Sequence, residues 1–94
     1  MPSWTLRVLL FREDGGWVAQ ALEVDLCAQG ASLQEAVLSF GRHVIGQIET
    51  DVALGLRPFE GIGKAPERFF ARYEAADHVP MHVENVNTEM RVAA

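Results

Sequence analysis

With 94 residues the chain has room for one domain and none for a separate catalytic or DNA-binding module. Hydrophobic residues make up 49% and charged residues 22%, a rich apolar supply for a body that buries only about 60–65% of its unfolded surface, so burial against another subunit is expected. The net charge of −5 disfavours non-specific contact with nucleic-acid phosphates and suits a basic protein partner.

From Trp4 to Phe11 the chain is rich in β-branched and large apolar residues, and it resumes in the same manner from Trp17 to Leu22. Arg12-Glu13-Asp14-Gly15-Gly16 lies between the two runs. Asp-Gly or Gly-Gly in that place predicts a hairpin, because glycine accepts the positive φ of a tight primed turn. A two-residue turn sets Leu10 near Ala19 or Ala21 and sorts the side chains by parity. One face then carries Leu6, Val8, Leu10, Trp17, Ala19 and Ala21, where the small alanines admit a helix. The other carries Thr5, Arg7, Leu9, Phe11, Val18, Gln20 and Leu22. A third strand is expected over Asp25 to Gln29, ended by Gly30.

Ser32-Leu33-Gln34-Glu35 fits a capping box, in which the serine hydroxyl accepts from an early helical N–H and the glutamate reaches back. Leu33, Ala36, Val37, Phe40, Val44, Ile48 and Val52 follow at helical spacing, and Gly55 supplies a stop. Gly41 and Gly46 each cost about 1 kcal/mol relative to alanine within a helix; close helix–sheet packing is the expected reason. Residues 56–64 read as a loop, Pro66 suits the first turn of a short helix reaching Ala75, and Val86, Thr88, Met90 and Val92 alternate as in a half-buried strand. The expected order is β-β-β-α-α-β, an α+β fold in one domain over residues 1–94, with a core at 3–56 and a C-terminal helix and strand at 65–93. Its sheet is a three-stranded antiparallel meander joined by a C-terminal strand.

Asp14-Gly15-Gly16-Trp17-Val18-Ala19, followed by Gln29-Gly30-Ala31-Ser32-Leu33-Gln34-Glu35-Ala36, resembles the signature of the HicB-like antitoxin family over about the first fifty residues. That resemblance implies a meander with a helix packed across it, similar to a truncated RNase H core. It also implies a non-catalytic role in neutralising a small basic mRNA-cleaving toxin of the HicA type. The chain departs from the family at Leu22-Glu23-Val24-Asp25-Leu26-Cys27, which lacks the prolines and glycine usual there. Its C-terminal part offers no pair of helices for binding DNA, so operator binding is not expected.

Asp14, Glu23, Asp25 and Glu35 invite comparison with the carboxylates of an RNase H-like nuclease, which must converge on paired divalent cations. Asp14 belongs in a turn and Glu35 in a cap, leaving only Glu23 and Asp25 as a pair. Pro80 separates His78 from His82, and His43 lies among polar neighbours, so no metal site is expected. Neither Ser32 nor Ser39 sits in a nucleophile elbow, and Gly61-Ile62-Gly63-Lys64 lacks the context of a phosphate loop. No catalytic residue and no cofactor are expected. Cys27 stands alone, which excludes an intramolecular disulfide, and a small buried hydrophobe is expected there. No long apolar run and no leader-like start occur, so a cytoplasmic protein without membrane contact is expected.

Arg68, Phe69, Phe70, Arg72 and Tyr73 interleave aromatic rings with cations, as expected of a short amphipathic helix docking onto the sheet or a neighbour. Leu9, Phe11, Val18 and Leu22, on the face away from the long helix, together with Phe69, Phe70 and Tyr73, form the expected partner or oligomer interface. The resulting expectation is a protein-binding module that forms a dimer or tetramer, binds a small basic toxin and makes no direct contact with nucleic acid. The alternatives are a stand-alone homo-oligomeric protein without a toxin, or a weak RNase H-like nuclease.

Overall fold

The computed structural model of the chain describes residues 5–84 and 86–93. The expected strand start at Trp4 and the first residues of the expected core lie outside them. The order is β1 (Thr5–Glu13), β2 (Gly16–Ala21), β3 (Cys27–Gly30), α1 (Leu33–Ala53), α2 (Glu67–Glu74), β4 (Asp77–Val79) and β5 (Asn87–Val92). The class is α+β, as expected, but the sheet has five strands in the order β3-β2-β1-β5-β4. β1, β2 and β3 form the antiparallel meander, while β5 runs parallel to β1 and antiparallel to β4.

The first turn fixes the register of everything that follows. Glu13 pairs with Gly16, leaving Asp14 (φ 51°) and Gly15 (φ 78°) as a two-residue turn with both central residues at positive φ. Leu10 therefore lies opposite Ala19, and the two faces separate by parity as expected. Leu6, Val8, Leu10, Ala19 and Ala21 pack with Ala36, Val37, Phe40 and Val44 of α1. β5 continues this layer, with Met90 beside Val8 and fully buried.

α1 is fastened at both ends. At its start, the Glu35 N–H donates to Ser32 Oγ at 3.1 Å, and Glu35 Oε2 accepts from the Ala31 N–H at 2.9 Å. A Cβ built at Gly30 would lie 2.3 Å from the backbone nitrogen of Ala36, so only glycine lets the helix start this close to β3. At its end, Gly55 (φ 76°) donates to Val52 O and Leu56 donates to Asp51 O, the Schellman arrangement. The buried Asp51 carboxylate also accepts from Phe59 N–H at 2.7 Å and from Gln47 Nε2 at 3.0 Å. Farther along the loop, Ala65 N–H donates to Leu22 O, and Asp25 N–H donates to Gly63 O.

Several expectations are corrected. Val52 is 61% exposed, because the helix turns it away from the sheet and puts Asp51 inward at that level. The third strand starts at Cys27 rather than Asp25; Glu23 and Asp25 lie in the bend before it. Gly41 faces Val83 of the segment before β5, and a Cβ at Gly46 would meet nothing, so neither glycine serves helix–sheet packing. Pro66 is the N-cap of α2 rather than a residue of its first turn. β4, which pairs at the far edge of β5, was not expected at all.

Candidate functional site

The face away from α1 holds the expected interface residues, and the fold brings them together as a second core. Leu9, Phe11, Val18 and Leu22 are buried with Tyr73, and Phe69 and Phe70 pack half-buried against them. α2 lies across this face, so the cover expected from a second subunit is supplied by the chain itself. The sequence pattern was ambiguous here because an eight-residue helix with only three aromatics covers little surface by itself. It suffices because Phe11 and Phe69 stack with ring centroids 5.8 Å apart and because the long cationic side chains lie along the rings.

Arg72 sits 4.5 Å from the centre of the Phe11 ring, Arg68 is 4.6 Å from that of Phe69, and Lys64 is 5.9 Å from that of Phe70. Each is an exposed cation placed to interact with a ring face. Arg7 projects from β1 between Phe70 and Tyr73 and donates from Nε to Glu23 Oε2 at 2.6 Å, while its own backbone N–H donates to Glu23 Oε1 at 2.7 Å. The Glu23 hydrogen bond raises the Arg7 pKa above its ordinary value, so this guanidinium stays charged. Tyr73 donates its hydroxyl to Glu89 O at 3.0 Å, and Arg91 lies 4.6 Å from the centre of its ring and donates to Tyr73 O. Burial, and after it the nearby Glu89, pushes the Tyr73 pKa up.

The four acids compared with a nuclease are each otherwise engaged or placed. Asp14 occupies the hairpin turn, Glu23 grips Arg7, Asp25 accepts from Gln20 Nε2 at 3.0 Å, and Glu35 caps α1. Among the described residues no group of three or more His, Cys, Asp or Glu side chains is placed to hold a metal ion. Cys27 is exposed, which corrects the expectation of a buried thiol: it sits on the edge strand, on the sheet face that α2 covers but outside the cluster on which α2 packs.

A second surface was not foreseen. Leu38 and Val52 are each 61% exposed, and Leu54 and Leu56 extend the apolar surface past the end of α1. Beside them, α1 and residues 82–84 enclose an open groove of about 750 Å³ that includes Leu38, Gly41, Arg42, Ile45 and Glu49. The signal lay in the sequence: Leu38, Ile45 and Val52 recur at intervals of seven, a second apolar line beside the one that faces the sheet.

Comparison of the chain with protein-family models, with curated proteins and with solved structures gives no match. Among the described residues, no helix is long and apolar enough to cross a membrane.

Proposed function

We propose that this chain is a non-catalytic protein-binding module, similar to the HicB-like antitoxins, that covers a small basic RNA-cleaving toxin of the HicA type. The observation that carries the reading is how the residues of the resemblance are used. Asp14-Gly15 makes the tight turn, Gly30 admits the helix backbone, and Ser32 and Glu35 start the helix. They are residues of architecture, which leaves the surface to do the binding. Glu23, Asp25 and Glu35, weighed for catalysis, each have a structural partner of their own, which supports a role without bond-breaking chemistry.

The acidic balance of the chain favours a basic partner, since opposite charge speeds encounter and competes with RNA for the same cationic surface. Co-expression with a small basic RNA-cleaving protein encoded beside it is expected to give a stable complex and to relieve growth arrest. If the two purified proteins form no complex at micromolar concentration, the reading fails. The second reading is a stand-alone homo-oligomer. Its support is the apolar line along α1, where Leu38 and Val52 are exposed and Ile45 between them is half-buried.

A further inference from the structure

We infer that the outer face of α1 is a self-association surface on which a second copy of the chain docks its own α1, antiparallel, about a two-fold axis near Ile45. This inference does not rest on the toxin reading and concerns a surface that the resemblance leaves unassigned.

Leu38, Ile45 and Val52 stand seven residues apart, so they keep nearly one line along a helix, drifting about 20° per repeat. That spacing is the seam of a two-helix pairing, and the small drift is absorbed by a shallow left-handed crossing. Leu38 and Val52 are largely exposed, although burying each would remove large apolar area from water. The line is also bounded on one side by the groove against residues 82–84, where Val83 packs against Gly41.

Charge selects the occupant. Arg42 and Glu49 flank the apolar line, are both exposed, and take no part in an ion pair among the described residues. They are seven residues apart, about 10 Å along the axis, too far to pair within their own helix. A parallel two-fold copy would put the two Arg42 side chains, and likewise the two Glu49, on opposite flanks of the seam, where neither charge meets its opposite. An antiparallel copy reversed about Ile45 sets each Arg42 beside the partner's Glu49, twice by symmetry. The same reversal brings Leu38 alongside the partner's Val52 at both ends. The face is therefore complementary to itself, as a two-fold interface requires.

Sedimentation equilibrium on the full chain is expected to show a dimer, and Ile45→Glu to weaken it at least tenfold. Arg42→Glu or Glu49→Arg alone is expected to weaken association about tenfold at low salt, with the combined Arg42→Glu/Glu49→Arg chain restoring it. Because Arg42 and Glu49 are exposed and Ile45 lies outside the buried core, circular dichroism should show the folded signal in all of these chains. In a Cys27→Ser background, Ile45→Cys should form a disulfide-linked dimer on mild oxidation, whereas Leu38→Cys should not. A monomer at several hundred micromolar, a dimer indifferent to Ile45→Glu, or cross-linking through Leu38→Cys would each overturn the inference. Protection of Ile45→Cys only in the presence of a basic partner protein would assign the face to that partner instead.

Discussion

α1 and α2 cover opposite faces of one sheet, and different forces hold them. α1 is tied to its surroundings by backbone geometry at both ends, through the Gly30 contact and Ser32–Glu35 cap at one and the Schellman turn and Asp51 at the other. Between those ties it drives Phe40 and Val44 into the larger core with no residual exposure. α2 has no side-chain N-cap hydrogen bond and is held by one buried aromatic, two half-buried ones and cations laid over rings. The difference separates a layer that defines the fold from one that seals it. Local opening should begin at α2, whose exposed interactions are individually weak.

Removing the anchor of the first layer should have the largest effect. Phe40→Ala leaves a cavity at the centre of the α1 core and is expected to cost about 4 kcal/mol. A domain of this size is commonly stable by roughly 5–14 kcal/mol, so urea denaturation should show a large loss or no folded state. Gly30→Ala comes next. Its methyl group would meet the main chain of Glu35 and Ala36, which cannot give way as a flexible side chain can, and about 3 kcal/mol is expected. A loss below about 1 kcal/mol would mean that the helix start shifts freely, and the contrast between the two layers would collapse.

The same contrast explains which features were readable in the sequence. Asp14-Gly15 and Ser32-Leu33-Gln34-Glu35 are local devices, so the hairpin register and helix start followed from adjacent residues. Parity then gave both faces of β1 and β2. Asp51 was unreadable because its main-chain partner is Phe59, which comes from a loop without periodicity. β4 was missed because three residues with exposed Asp77 and His78 carry no alternation of their own; pairing with β5 alone makes them a strand. The interface expectation on Leu9, Phe11, Val18 and Leu22 identified a real apolar surface but left only part of its cover to the short helix and the rest to a second subunit, because the docking of α2 depends on contacts distant in sequence.

Tyr73 tests the second layer at a smaller scale. Tyr73→Phe keeps the ring against the sheet and removes the hydroxyl donated to Glu89 O, an expected loss of about 1 kcal/mol near neutral pH. The pH dependence has a definite sign. Burial raises the folded-state pKa of this phenol, so its stabilising contribution is complete below the ordinary tyrosine value of about 10 and fades as pH rises through the higher folded value. Between neutral and strongly alkaline pH the unmodified chain should therefore lose more stability than Tyr73→Phe. Parallel curves in denaturant titrations across that range would show that α2 does not hold this ring buried against the sheet.

Cys27 supplies the smallest energetic effect and a direct view of where the second layer ends. Its thiol lies exposed on β3, on the same sheet face as Phe11 and Val18 but beyond the reach of the eight-residue α2. A thiol reagent should reach it in the native chain at nearly the rate of a free thiol, without prior opening. Labelling should change the thermal midpoint by no more than about 2–4 °C, since an exposed substitution lies within about 0.5 kcal/mol. If Cys27 reacted only as fast as the protein unfolds, α2 or another copy would have to shelter the sheet edge as well, and the second layer would extend farther than the cluster of Leu9, Phe11, Val18 and Leu22. Fast labelling combined with slow amide exchange throughout α1 would locate the boundary where the geometry puts it, with a locked helix on one side of the sheet and a partial seal on the other.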